Sequence, residues 1–296
     1  MTKKIHSDTR RFGQALAASL VSLCVLSANP LLAQDKPGFV SIDFCADQYL
    51  LGLAEADEIQ AVSYEATEPQ SFYSARAQGL PTVTGAMEQL LLMQPTMVLR
   101  TWKGGPRAKD ILDSAGIASF QPPYAYSLES NFETFLAVGA EIGKTAEAEA
   151  LVADQRQRLA KLQAHAKSQL KAVYMTPSGF TAGTGTFVDG IIKLAGFDTV
   201  AEEAGIRSWA PLPLEKIVLS PPDFIVAAFF DDKNVHVSHW SSGRHGVNKR
   251  LMAELPVIHI PSRYLSCSGA FTVKAAEYIR AEALELGLIK AGKGAE

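Results

Sequence analysis

The sequence predicts an α/β protein made of two similar lobes around a helical connector, and three observations carry that expectation. Short apolar runs alternate with helical patterns along most of the chain, the layout of helices packed on largely parallel sheets. Residues 131–170 break the alternation, with almost no strand pattern and no proline. A helix–proline–strand layout then occurs twice, 127 residues apart.

In the first half, Phe39 to Ile42, Ile59 to Val62, Met97 to Leu99 and Ile117 to Phe120 read as strands. Ala172 to Met175, Phe224 to Ala228 and Val257 to Ile260 read as strands of the second. Helices are expected over Ala46–Leu53, Met87–Met93, Lys109–Ser114 and Val188–Ala195. In the middle, Phe132, Phe135, Leu136 and Ile142 share one helical face. Gly143-Lys144-Thr145 makes a break with Thr145 as its cap. Leu151, Val152, Leu159 and Leu162 then carry a longer helix with a charged outer face, either a stiff connector or an ordinary surface helix.

The repeat is Glu88 to Val98 against Glu215 to Ile225. Glutamate is followed by apolar residues two and three later, proline seven later and a strand ten later. The offset is 127 at the glutamates (215 − 88) and at the prolines (222 − 95). Each copy reads as a short helix, a proline that stops it, and a strand. Two related lobes imply a cleft, and such clefts are preferred ligand sites.

The chain has 296 residues, 47% hydrophobic, 20% charged and 8% aromatic, with a net charge of −3. That balance excludes collagen, coiled coil, disorder and a disulfide-dense mini-protein, and the lack of a basic block argues against a nucleic-acid partner. Residues 1–33 have the three parts of a secretory signal: Lys3, Lys4, Arg10 and Arg11, an apolar run from Ala15 to Leu26, and a small residue at Ala33. Ser19, Ser22, Ser27, Asn29 and Pro30 interrupt the run before it reaches the ~20 residues of a membrane span. Removing this segment, with its four basic residues and one acid, leaves 263 residues at a charge of −6. The expectation is a soluble periplasmic monomer.

Two cysteines stay in the exported chain, Cys45 and Cys267. In an oxidising compartment they read as a disulfide, with two separate buried thiols as the alternative. Enzyme motifs are missing: no Gly-x-Ser-x-Gly, phosphate loop, His-Glu-x-x-His or Cys-x-x-Cys occurs. Thr181 to Thr186 is glycine-rich but lacks a dinucleotide fingerprint.

On these residues the chain resembles the periplasmic substrate-binding proteins of ABC importers, in the branch that takes up cobalamin, ferric siderophores or haem. Val40 to Gln48 is similar to the family's first strand and helix, and the paired Glu88 and Glu215 segments match its lobe motif. Leu265 to Phe271 is similar to a Cys-Gly-Gly-Pro-Phe pattern, departing from it at Ser268 and Ala270. The resemblance implies two Rossmann-like lobes, 34–130 and 171–296, joined by a single long rigid helix within 131–170, with the ligand cleft between them. It implies Glu88 and Glu215 docking on an inner-membrane permease–ATPase complex, where a helix-dipole role is the alternative. It also implies no catalysis, no resident metal and no cofactor.

The ligand expectation is a large metal-containing molecule, a cobamide first, with ferric siderophore or haem as alternatives. Trp102 to Gly105 and Trp209 resemble the aromatic cleft segments of the cobalamin-binding branch, with Gly104 allowing close backbone approach. Tyr64 and Tyr124 are further wall residues. His236 to His245 reads in two ways. One is metal ligation, of a free or chelated ion or axially to haem iron or corrin cobalt. The other is a polar loop in which Trp240, Arg244 and His245 meet ligand groups. An exported hydrolase with a dispersed site is the enzyme alternative.

Overall fold

The structure is a computed structural model that describes residues 38–212, 214–230, 246–267, 269 and 271–290. The expected signal segment, Trp240, Arg244, His245 and the rest of the histidine segment lie outside the described residues.

The first lobe runs β1 (Phe39–Ser41), α1 (Phe44–Leu53), β2 (Ile59–Ser63), α2 (Ser74–Ala77), β3 (Thr82–Val83), α3 (Met87–Met93), β4 (Met97–Leu99), α4 (Ala108–Ser114) and β5 (Ala118–Phe120). Its five strands are ordered β3-β2-β1-β4-β5 and every pair is parallel. β1 and β4 are buried at every residue, which is why they read as continuous apolar runs rather than alternating ones. Val40, Val98 and Leu90 pack on one face with Leu112. Phe39, Leu99 and Val62 turn to the other face, into the largest core of the molecule.

The connection is a helical hairpin. α5 (Leu128–Glu141) begins at Ser127, whose hydroxyl accepts from Ser130 N at 3.1 Å while Ser127 N donates to Ser130 Oγ at 2.8 Å. Of the face that the periodicity predicts, Phe132, Phe135 and Ile142 are buried and Leu136 is half-buried, and Val138 joins them in the core. The chain reverses at Gly143, with φ of +70°. α6 (Thr145–Gln163), 19 residues and thus about 28 Å long, leads to the second lobe. The expected cap at Thr145 is displaced: Lys144 holds the N-cap position and Thr145 is already helical. The Lys144 side chain pairs with Glu58 at 2.6 Å, anchoring the turn on the first lobe instead of capping with a hydroxyl.

The second lobe contains β6 (Lys171–Met175), β7 (Phe180–Ala182), α7 (Phe187–Leu194), β8 (Asp198–Thr199), α8 (Val200–Glu203), β9 (Trp209–Pro211), α9 (Leu214–Leu219), β10 (Phe224–Ala228), α10 (Gly246–Glu254), β11 (Val257–Ile260) and α11 (Thr272–Glu285). Its sheet, β11-β10-β6-β8, is parallel throughout and repeats the first lobe's order with the outermost strand missing. β7 and β9 form a separate antiparallel pair. α3 and α9, and β4 and β10, start 127 residues apart, so the sequence repeat is a repeat of structure.

The lobes are tied where α1 begins. Cys45 and Cys267 are joined as a disulfide with Cα atoms 5.6 Å apart. Beside it Phe72 stacks on Phe271, ring centroids 4.3 Å apart and planes within 9°. Gly269 sits against that ring, so close that a Cβ there would lie 2.5 Å from Phe271. The largest core runs through α5, α6 and both sheets. Among the described residues no helix is long and apolar enough to cross a membrane.

Candidate functional site

The first sheet reverses its winding between β1 and β4, and in open parallel sheets ligands sit outside the strand ends at that point. Asp43, fully buried, joins the two loops there. Its carboxylate caps α1 by accepting from Ala46 N at 2.9 Å. It also accepts from Thr101 N at 2.7 Å, from Trp102 N at 3.3 Å and from the Thr101 hydroxyl. The backbone carrying Trp102 is thus fixed while its indole stays 57% exposed.

Behind Trp102 the chain turns sharply. Gly104 has φ of +92°, and a Cβ there would lie 2.9 Å from that of Ala108, so the glycine is required by the turn itself. Lys103 folds back, its ammonium 5.0 Å from the Trp102 ring centroid and 4.6 Å from that of Tyr64, and pairs with Glu65. Tyr64 and Trp102 therefore belong to one aromatic group.

A cavity of about 400 Å³ opens between the lobes at this point. Trp102, Tyr124 and Tyr49 line it from the first lobe and Phe187 from the second, and both cysteines of the Cys45–Cys267 bridge are on its wall. Trp209, on β9, stands one ring behind, its centroid 6.5 Å from Phe187 and 5.9 Å from Tyr174. Burial pushes the Tyr49 phenol up to about 12, so it is neutral in the physiological range. A larger groove of about 670 Å³ lies between α5, α6 and α7 and shares Phe187. The smaller cavity is the better ligand site because it stands at the strand-end crossover and is walled by both lobes.

Of the residues singled out in the sequence, Trp102, Tyr124, Cys45 and Cys267 meet at this cavity, with Tyr64 and Trp209 close behind. Gly104 is not on its wall. The glycine-rich segment has structural work: a Cβ on Gly183 would lie 2.4 Å from the Ile206 carbonyl oxygen, and Thr186 caps α7 by accepting from Asp189 N at 3.2 Å. Tyr73 packs edge-on to Phe271, 6.2 Å away, as part of the lobe contact. Sequence reasoning missed Phe187 and Tyr49, which hide as ordinary apolar positions of α7 and α1, and Asp43. Asp43 had a signal: an acid between a strand and a helix is a capping pattern.

Glu88 and Glu215 are exposed in the first turns of α3 and α9, away from the cavity walls. Among the described residues no three side chains form a metal-holding cluster.

A family model described as periplasmic binding protein matches residues 40–235. The chain belongs to that family. A cobalamin-binding protein of Halobacterium salinarum is 27% identical over 201 residues, covering 66% of this chain and 54% of that protein. The chain thus spans about half the length of the curated relatives it matches. The periplasmic heme-binding protein RhuT of Roseiflexus sp. RS-1 superimposes with a TM-score of 0.64 at 21% identity, over 83% of this chain and 97% of that one. HutB of Vibrio cholerae, a periplasmic heme-binding protein, does so with 0.67 at 20% identity, over 83% and 98%. At such identities the likeness is one of fold, and the fold is this periplasmic binding protein's two-lobed α/β architecture. The family and these relatives are binding proteins, not enzymes.

Proposed function

We propose that this chain is the periplasmic receptor of an ABC importer, capturing a large metal-containing ligand in the inter-lobe cavity and delivering it to the inner-membrane permease–ATPase complex. The observation that carries the reading is an aromatic cavity walled by both lobes at the strand-end crossover, with Trp102 and Tyr124 facing Phe187. Flat rings on a rigid frame give a macrocycle contact area at small entropic cost. A cobamide is the first choice, from the cobalamin-binding relative and from the resemblance of the Trp102 to Gly105 segment. Tyr64, Trp209, Trp240, Arg244 and His245 complete the proposed ligand set, with Gly104 contributing through the turn that presents Trp102.

Haem is the second reading, and it has an observation of its own. Tyr124 lines the cavity and is exposed, with the Tyr126 ring 4.6 Å from its own on the side of the larger groove, so a phenol oxygen is available to ferric iron. Export by residues 1–33, the Cys45–Cys267 disulfide and docking through Glu88 and Glu215 belong to the same proposal.

The test is titration of purified protein with cyanocobalamin, haemin and a ferric siderophore, following tryptophan fluorescence. Saturable quenching by one of them is expected, with Trp102→Ala weakening it about tenfold or more, the size of effect lost with a central aromatic anchor. Quenching by a free divalent ion alone would overturn the macrocycle reading.

A further inference from the structure

α3 and α9 hold the same place in their lobes, each leading into the strand that pairs with its lobe's first strand, β4 with β1 and β10 with β6. Each carries a large apolar side chain turned to solvent: Leu92 is 86% exposed and Leu219 is 85% exposed. The two are again 127 apart. Each lies four residues, one helical turn, after the exposed glutamate, so Glu88 with Leu92 and Glu215 with Leu219 share a helix face.

Core packing does not ask for these leucines. In α3 the first-lobe core takes Leu90, with Met87, Leu91 and Met93 packed against it. In α9 the second-lobe core takes Ile217. Among the described residues neither glutamate forms an ion pair, and the neighbouring Lys216 is committed to the Ala204 carbonyl oxygen at 2.6 Å. One exposed leucine on a protein surface is ordinary. Two at the same position of an internal repeat, each one turn beyond an exposed carboxylate, make a pattern that both lobes carry.

We propose that Glu88 with Leu92, and Glu215 with Leu219, are two equivalent docking patches, each an apolar anchor beside a carboxylate. They fit a partner that presents two symmetry-related sockets, each an apolar pocket flanked by a basic group, as the paired subunits of a membrane permease do. This rests on the docking role given to α3 and α9 above and adds to it the source of affinity. A solvent-exposed carboxylate pair gains little net energy but steers and orients the encounter. Burial of the leucines acts on dissociation, where most affinity differences reside. Val218, also exposed, enlarges the second-lobe patch.

The experiment measures binding of the purified chain to its cognate permease–ATPase complex in lipid nanodiscs, at low and high salt. Leu92→Ser and Leu219→Ser are each expected to raise the dissociation constant about fivefold, the loss of a moderate hot spot, through faster dissociation. The double variant is expected to lose more than either single one. Its melting temperature and its titration with haemin or cyanocobalamin should match the parent. Glu88→Gln with Glu215→Gln should instead slow association and flatten its salt dependence. If the double leucine variant binds like the parent while the glutamine pair is impaired, the apolar anchors are wrong and the docking face stands. If neither pair alters binding, the docking face itself is wrong and the anchors fall with it.

Discussion

Asp47 is a fully buried carboxylate held between the ends of β1 and β2, and what it does depends on its proton. Its oxygens accept from the Ser41 hydroxyl, from Ser63 N at 2.9 Å and from the Ser63 hydroxyl. Those donors favour the charged form, yet burial outweighs them and raises its pKa from 3.8 to about 6. A carboxylate whose folded pKa lies above its unfolded one binds its proton more tightly when folded. Its contribution is therefore fully present below about 4, and it is lost as pH rises through about 6. At neutral pH the ionised group costs roughly 3 kcal/mol relative to acid conditions, since each tenfold change in proton affinity is worth about 1.4 kcal/mol. Asp47→Asn keeps one acceptor and removes the charge. The stability difference between variant and parent in urea melts should therefore widen in the variant's favour from pH 4 to pH 7. A difference independent of pH would show that the serine donors, not burial, decide the charge state. Nothing in the sequence marked this residue, because its environment is assembled from strands 6 and 16 residues away. Trp102 was legible by contrast, since the Gly104-Gly105 turn that exposes it is adjacent in the chain.

Legibility at the level of elements follows the number of buried faces. β1, β4 and β10 were readable because each is buried along its whole length, and α3 and α9 because their sequence repeats. β3 and β8 have two residues each, too few for any period, and β7 and β9 exist through pairing with each other. α11 buries Val273, Ala275, Ala276, Ile279 and Ala283, an alanine-rich face with little apolar contrast. The α5–α6 hairpin was readable in its helices but not in its spacing, which Gly139 sets. A Cβ there would lie 2.4 Å from the Ala148 Cβ and 2.8 Å from the Lys144 carbonyl oxygen. Gly139→Ala gains up to about 1 kcal/mol in helix propensity. It also forces two helices apart at a backbone atom that cannot rotate away, a cost of about 1–3 kcal/mol or more. The clash should win. Chemical denaturation is expected to give net destabilisation, and a stabilised variant would mean that α6 slides freely against α5.

For the whole molecule, the question is what makes two homologous lobes behave as one body, and two couplings compete for the answer. One is covalent: the Cys45–Cys267 bridge spans 222 residues of sequence. Loop-closure entropy for a chain of that length gives about 5 kcal/mol as an upper figure, within the 2–5 kcal/mol commonly lost with a native disulfide. The other is packed: Phe72 on Phe271, and a core that runs from Phe39 and Phe132 to Tyr174 and Ile258 without interruption. Reduction removes the first and leaves the second. The reduced protein, and the Cys45→Ser Cys267→Ser variant, should therefore melt lower by roughly 5–10 °C, the shift that a few kcal/mol produces in a chain of this size. They should still melt in one transition, because the shared core keeps the lobes cooperative. Scanning calorimetry with and without dithiothreitol decides between the couplings. An unchanged melting temperature would mean that the bridge is unformed or idle. Two separate transitions would mean that the covalent tie, not the continuous core, unites the lobes, and the cavity between Trp102 and Phe187 would then depend on the redox state of its own wall.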